Sequence, residues 1–169
     1  MTEEDTTHAI APFNGPVEIG LRALSILTEA FPEAYSLQRL VVCDYLVVHS
    51  DDLPGGPPGL HPKTPHRSGE LLVRRGVLQS GLLLYQSRGL VERRFDSSGV
   101  LFAATEHSAG FLDALGADYA VNLRQRACWL IEGYGALSDS HLGAVVHEHI
   151  GHWGTEFEME SVLWEENVT

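Results

Sequence analysis

The chain has 169 residues, 44 % of them hydrophobic, enough for one domain with a sizeable core, or one domain and an appendage. It carries 23 acidic against 11 basic side chains, a formal net charge of -12, which argues against a protein that holds nucleic acid by neutralising phosphates over its whole surface. Met1 to Gly116 hold 14 acidic and 9 basic residues, whereas Ala117 to Thr169 hold 9 and 2, so a local basic patch is expected only in the first part.

Two cysteines, Cys43 and Cys128, sit in apolar helical pattern and are expected as buried free thiols of a reducing compartment. The acidic N-terminus has no apolar run of the signal-peptide kind. No segment approaches the ~20 apolar residues of a membrane span. The expectation is a soluble, cytoplasmic protein.

In chain order, Asn14-Gly15-Pro16 reads as a helix start, with Glu18 favourable to the helix dipole. Val17, Leu21, Leu24, Leu27 and Phe31 make an apolar stripe, and Pro32 ends it. Ser36 is placed to cap a second helix from Leu37 to about His49. The β-branched centre of that element, Val41 to Val48, suits a buried strand equally well. The cap and the position between two helices decide for helix. Ser50 to Ser68 holds Pro54, Pro57, Pro58, Pro62 and Pro65 with glycines at 55, 56 and 59, which excludes regular structure. A segment of that kind is expected to be mobile, or a proline-stiffened arm over the next helix.

Leu71, Leu72, Leu78, Leu82 and Leu83 recur at helical spacing, and Gly89 stands where a helix stops. Leu90–Phe95 and Val100–Ala104 read as two strands around the turn Asp96-Ser97-Ser98-Gly99. Thr105 can cap a following helix through Glu106. Leu112, Leu115, Tyr119, Leu123, Ala127, Leu130 and Tyr134 then follow at three- or four-residue intervals, as one long helix or two broken near Gly116. Ser138 caps a last helix that Gly154 closes, before an acidic tail with large apolar residues. The fold class expected is mainly α: a winged helix-turn-helix over residues 12–116, with a β-hairpin wing and a Pro/Gly-rich insertion at 50–68. Residues 117–169 form a C-terminal helical extension and tail.

No catalytic constellation emerges. His147-Glu148 lacks the second histidine of a metalloprotease helix, because position 151 is glycine. His149 and His152 lie one turn apart and could share a metal, but no cysteine is nearby, and surface or interface histidines are the expectation. No phosphate-binding loop or nucleophile elbow is present, and no cofactor is expected. Arg67, Arg74, Arg75 and Arg88, with Arg93 and Arg94 on the wing, are the one basic concentration. In a DNA-binding winged helix Arg74 and Arg75 would enter the major groove while Arg93 or Arg94 tracks the backbone. Alternatively, Arg74 and Arg75 pair with acids such as Glu70 one turn away. Phe157, Met159, Leu163 and Trp164, ringed by Glu156, Glu158, Glu160, Glu165 and Glu166, form a candidate partner-binding tail.

Several stretches carry a resemblance to a known family. They are Pro12-Phe13-Asn14-Gly15-Pro16, Gly20-Leu21-Arg22-Ala23-Leu24, Tyr45 to Ser50, Leu60-His61-Pro62-Lys63-Thr64-Pro65, Ser87-Arg88-Gly89-Leu90 and Phe102-Ala103-Ala104-Thr105. Together, over roughly Pro12 to Trp164, the chain resembles the second type of middle component of bacterial ABC three-component conflict systems. The resemblance implies a small non-enzymatic subunit encoded between an ABC-type ATPase and a variable effector in defence loci. It brings no catalytic residues. Two functions follow as expectations: an adaptor between those partners, binding DNA weakly or not at all when alone, or a dimeric winged-helix transcriptional regulator.

Overall fold

A computed structural model describes residues 15–62 and 70–150. Its elements are α1 (Pro16–Ala30), β1 (Tyr35–Ser36), α2 (Leu37–Val48), α3 (Glu70–Ser87), β2 (Val91–Asp96), β3 (Gly99–Ala104), α4 (Ser108–Asp113), α5 (Asp118–Tyr134) and α6 (Asp139–Ile150). The described chain is therefore mainly helical, with one small antiparallel sheet in the order β1-β3-β2.

Proline in the first turn and Glu18 start α1 as the sequence implies. Leu24 and Leu27 are fully buried, with Ile19, Ala23, Ile26 and Ala30 beside them. The two ends of the expected stripe, Val17 (56 % exposed) and Phe31 (52 % exposed), lie outside the core. The middle of α1 is covered on several sides, by α3, α5 and α2, so its buried surface is a band around the helix and not one stripe. The second element is a helix: Ser36 Oγ accepts the Arg39 amide at 3.1 Å, and Leu40, Leu46, Val47 and Val48 are fully buried. Burying each such side chain contributes about 1.5–3 kcal/mol. Residues Tyr35 and Ser36 just before it pair with Phe102 and Leu101, adding a short third strand to the expected hairpin.

α1 and α3 meet almost backbone to backbone. A Cβ on Gly81 would lie 2.8 Å from Gly20 N, and one on Gly20 would lie 2.5 Å from Tyr85 Cε2. Tyr85 locks the crossing by donating its hydroxyl to Val17 O at 2.9 Å. α3 ends with Gly89 N and Leu90 N donating to Gln86 O and Tyr85 O, each at 3.0 Å. β2 and β3 then pair from Val91↔Ala104 to Asp96↔Gly99, with Ser98 N donating to Asp96 Oδ1 at 2.7 Å in the turn.

Residues 50–62 of the insertion fold back on the body. A 3-10 turn over Ser50–Asp52 continues α2, Ser50 Oγ donates to Pro57 O at 2.9 Å, and Leu60 N returns to Val48 O at 2.9 Å. Leu53 is 3 % exposed. Arg126 of α5 clasps Pro58 O through Nη2 at 2.8 Å. Gly56 is required here, since a Cβ would lie 1.8 Å from Ser50 O. This half of the insertion is thus irregular but built into the core, unlike the mobile segment or free arm that composition suggests. The rest of the insertion lies outside the described residues.

Of the two arrangements open for residues 108–134, the structure has two helices, broken at 114–117. Thr105 joins Ser108 and not Glu106: Thr105 N donates to Ser108 Oγ at 3.0 Å, and the buried Ser108 donates to Leu90 O at 2.6 Å. α5 packs on α1 and α2 through Leu123, Ala127 and Leu130, and α6 adds Leu142 and Val146 to the same core cluster. Ser138 Oγ caps α6 by accepting the His141 amide at 3.2 Å. Gly154 and His152 lie outside the described residues, as does the tail. Among the described residues no helix is long and apolar enough to cross a membrane.

Two glycines of α3 give a paired prediction. Gly81→Ala should destabilise by about 1–3 kcal/mol, because the added methyl meets backbone. Gly76→Ala, at a position with open space around it, should stabilise by about 0.5–1 kcal/mol through helix propensity. Urea unfolding of both variants measures the difference.

Candidate functional site

Asp44 lies at the centre of α2 with no exposure to solvent. Its carboxylate is shared by two guanidinium groups. Arg22 of α1, equally inaccessible, donates Nε to Oδ1 at 2.6 Å and Nη2 to Oδ2 at 2.9 Å. Arg74 of α3, with its side chain 18 % exposed, donates Nη1 to Oδ2 at 2.8 Å. Burial alone would push the Asp44 carboxyl up, but the charges and hydrogen bonds of Arg22 and then Arg74 outweigh it and hold the carboxyl below the ordinary carboxylate range. Burial works against the charge of Arg22 too, and Asp44 reverses that, with Tyr119 adding to the effect.

A ring of aromatic and imidazole groups surrounds this triad. Tyr45 donates its hydroxyl to Asp52 Oδ2 at 2.7 Å, and burial followed by that carboxylate raises its phenol far above the usual range. His61, brought in by the folded-back insertion, bonds Tyr119 of α5 through Nε2 at 2.9 Å. His49 stacks obliquely on Tyr45 at 4.6 Å between centroids and faces His61 edge-on at 6.5 Å. Burial, and then nearby arginine charge, lowers both imidazoles, His61 to about 4. The cluster therefore ties α1, α2, α3, α5 and the insertion together through charge and hydrogen bonds.

The arginines picked out by the sequence fall into distinct settings. Arg74 is bound to Asp44, thirty residues away in the chain, and the side chain of Glu70, the partner expected from helical spacing, lies outside the described residues. Arg94 donates Nη1 to Pro32 O at 2.8 Å and Nη2 to Glu92 Oε1 at 2.9 Å, which clamps the hairpin to the end of α1. Arg93 and Arg88 are exposed, and Arg75 is half-buried at the flank of α3. The outward face of α3 between them consists of Gly76, Gln79, Ser80, Leu83 and Ser87, all exposed and all uncharged. Arg67, Phe157, Met159, Leu163 and Trp164 lie outside the described residues. Cys43 is buried with its thiol pushed up to about 12, first by burial, and Cys128 is half-buried beside Glu132. His141 and His147 are exposed on α6.

The apolar run around Asp44 held the signal that points to this cluster: a carboxylate at the centre of a buried helix needs cationic partners. Asp44→Asn leaves the buried Arg22 and the half-buried Arg74 short of an anion and should cost about 3–5 kcal/mol in chemical unfolding. Acidification tests the histidines. His61 stays neutral in the folded chain down to about pH 4, whereas the unfolded chain protonates it near 6.5. The unfolded state thus binds the extra proton, and stability should fall as pH drops from 6.5 toward 4. His61→Gln should flatten that slope in melting curves recorded across this window.

No curated protein and no solved structure matches the chain. The family model described as ABC-three component (ABC-3C) system Middle Component 2 matches residues 12–156. That span takes in every described element from α1 to α6 and the whole Asp44 cluster, and the chain belongs to the Middle Component 2 family of ABC-three component systems.

Proposed function

We propose that this chain is a non-enzymatic adaptor, coupling an ABC-type ATPase to an effector subunit by protein–protein contacts in a bacterial antiviral defence system. The observation that carries the reading is the outward face of α3, which is uncharged from Gly76 to Ser87. The element order α1-β1-α2-α3-β2-β3, with β1 paired to β3, supports reading residues 12–116 as a winged helix-turn-helix domain. In a DNA-binding winged helix α3 would enter the major groove. Here Arg74 of α3 holds Asp44, and Arg94 of the wing holds Pro32 O. The helices from Asp118 onward, packed against α1 and α2, then serve as the extension of that domain. Membership in a multi-component family supports partners encoded nearby. The acidic-apolar tail with Phe157, Met159, Leu163 and Trp164 supplies their contact in this reading, and the subunit works in the cytoplasm.

The exposed Arg88 and Arg93 favour a second reading, a dimeric DNA-binding regulator. Two measurements separate them. The isolated protein should bind duplex DNA on the order of 10 µM or weaker at physiological salt, the weak side of non-specific binding. Phe157→Ala combined with Trp164→Ala should abolish co-purification with the neighbouring ATPase while circular dichroism stays native. Tight promoter-specific binding without partners, with assembly unaffected by the double variant, would overturn the adaptor reading in favour of the regulator.

A further inference from the structure

A groove of about 830 Å³ opens between the end of α1, the edge strand β1, the hairpin turn and the α5–α6 connection. Its volume is within the range of sites that enclose a ligand-sized group. The wall is amphipathic. Leu101, Ile131, Leu137 and the ring of Tyr35 supply apolar surface, and Glu29, Glu33 and Asp139 place carboxylates around it. Glu29 and Glu33 form no ion pair among the described residues.

Arg39, also in the wall, is the second observation. Its side chain is 8 % exposed. Nη1 donates to Asp139 Oδ1 at 2.8 Å, Nη2 donates to Gly135 O at 3.2 Å, and the guanidinium lies 4.6 Å over the Tyr35 ring. Nε is buried and has no acceptor among the described residues. A buried donor left without a partner is costly, and the side chain that carries it lines the groove next to the outer edge of a sheet. Among the described residues β1 pairs with β3 alone, so no strand lies along its other edge.

These features select one kind of occupant. An anion is disfavoured by Glu29 and Glu33, and a purely apolar ligand leaves these two carboxylates desolvated without compensation. An extended peptide meets all the terms together. Its backbone runs along the β1 edge, its apolar side chains meet Leu101, Ile131 and Leu137, and its lysine or arginine side chains meet Glu29 and Glu33. We propose that this groove receives a basic, apolar, extended segment of a partner protein. The proposal rests on the adaptor reading for the source of that segment, but it names a surface separate from the acidic tail.

The test uses the full chain alone, titrated with a short synthetic peptide of alternating lysine and leucine, with a glutamate–leucine peptide of equal length as control. Amide shifts in ¹⁵N spectra should concentrate on Ser36, Leu101, Ile131 and Leu137, and the control should give none. The combination Glu29→Gln and Glu33→Gln should weaken the lysine peptide about tenfold, as loss of two complementary charge contacts implies. Glu106→Gln with Glu148→Gln removes the same charge from exposed positions elsewhere and should weaken it less than about twofold. Equal losses in the two variants, or shifts spread over the surface, would overturn the proposal by reducing binding to non-specific attraction. Sedimentation of the unliganded chain covers the remaining occupant: self-association abolished by Glu29→Gln and Glu33→Gln would assign the groove to a second copy and overturn the proposal as well. Because no partner complex enters this titration, a negative outcome removes the groove while the co-purification result stands on its own.

Discussion

Everything in the architecture is arranged around one fully buried carboxylate. An isolated ionised aspartate inside a protein is prohibitively unfavourable, so Asp44 is viable only where cations reach it. Arg22 provides a two-pronged bond from α1 and Arg74 a third bond from α3. That requirement fixes the rotation of α1, the depth of α2 and the position of the first half of α3 at once. Apolar burial supplies most of the driving force for packing, but apolar contact alone tolerates slippage between helices. The directional bonds at Asp44 do not, and the glycine contact between Gly20 and Gly81 sets the distance at which α1 and α3 satisfy them.

The same economy of positive charge shapes the outside. Arg22, Arg39, Arg74, Arg94, Arg124 and Arg126 are each directed at a carboxylate or carbonyl of the chain itself. With so many of the few cations turned to internal acceptors, exposed carboxylates such as Glu33, Glu92, Glu106 and Glu148 dominate the described surface of a chain whose net charge is -12. A molecule built this way is suited to basic or apolar protein surfaces and repels phosphate backbones at long range. The uncharged outward face of α3 continues that pattern at the place where a nucleic-acid reader would differ most.

Local signals in the sequence were sufficient for the helices and the hairpin. The Ser36 cap overrode the β-branched centre of α2, and Asp96-Ser97-Ser98-Gly99 located the turn, because both are encoded within a few residues. What was not legible depends on distant pairing. A two-residue strand such as β1 has no periodicity to read, and its existence is dictated by β3 some sixty residues later. Helical spacing offers Arg74 a partner one turn away at Glu70, whereas its bond to Asp44 comes from the geometry of three crossing helices. Composition ruled out regular structure between Ser50 and Ser68, yet it contained nothing to reveal that Leu53 enters the core or that His61 reaches Tyr119. Arg39 and its groove depend on the same kind of long-range assembly, drawing on α1, β1, β3 and the α5–α6 turn.

The claim that Asp44 makes α1, α2 and α3 a single cooperative unit is open to direct test by native-state hydrogen exchange. Amides in the centres of the three helices, such as those of Leu24, Cys43 and Leu82, should exchange with one common opening free energy equal to that of global unfolding. A lower opening free energy for the amides of α3, with α1 and α2 still fully protected, would contradict the account and show that α3 is held by its apolar face alone.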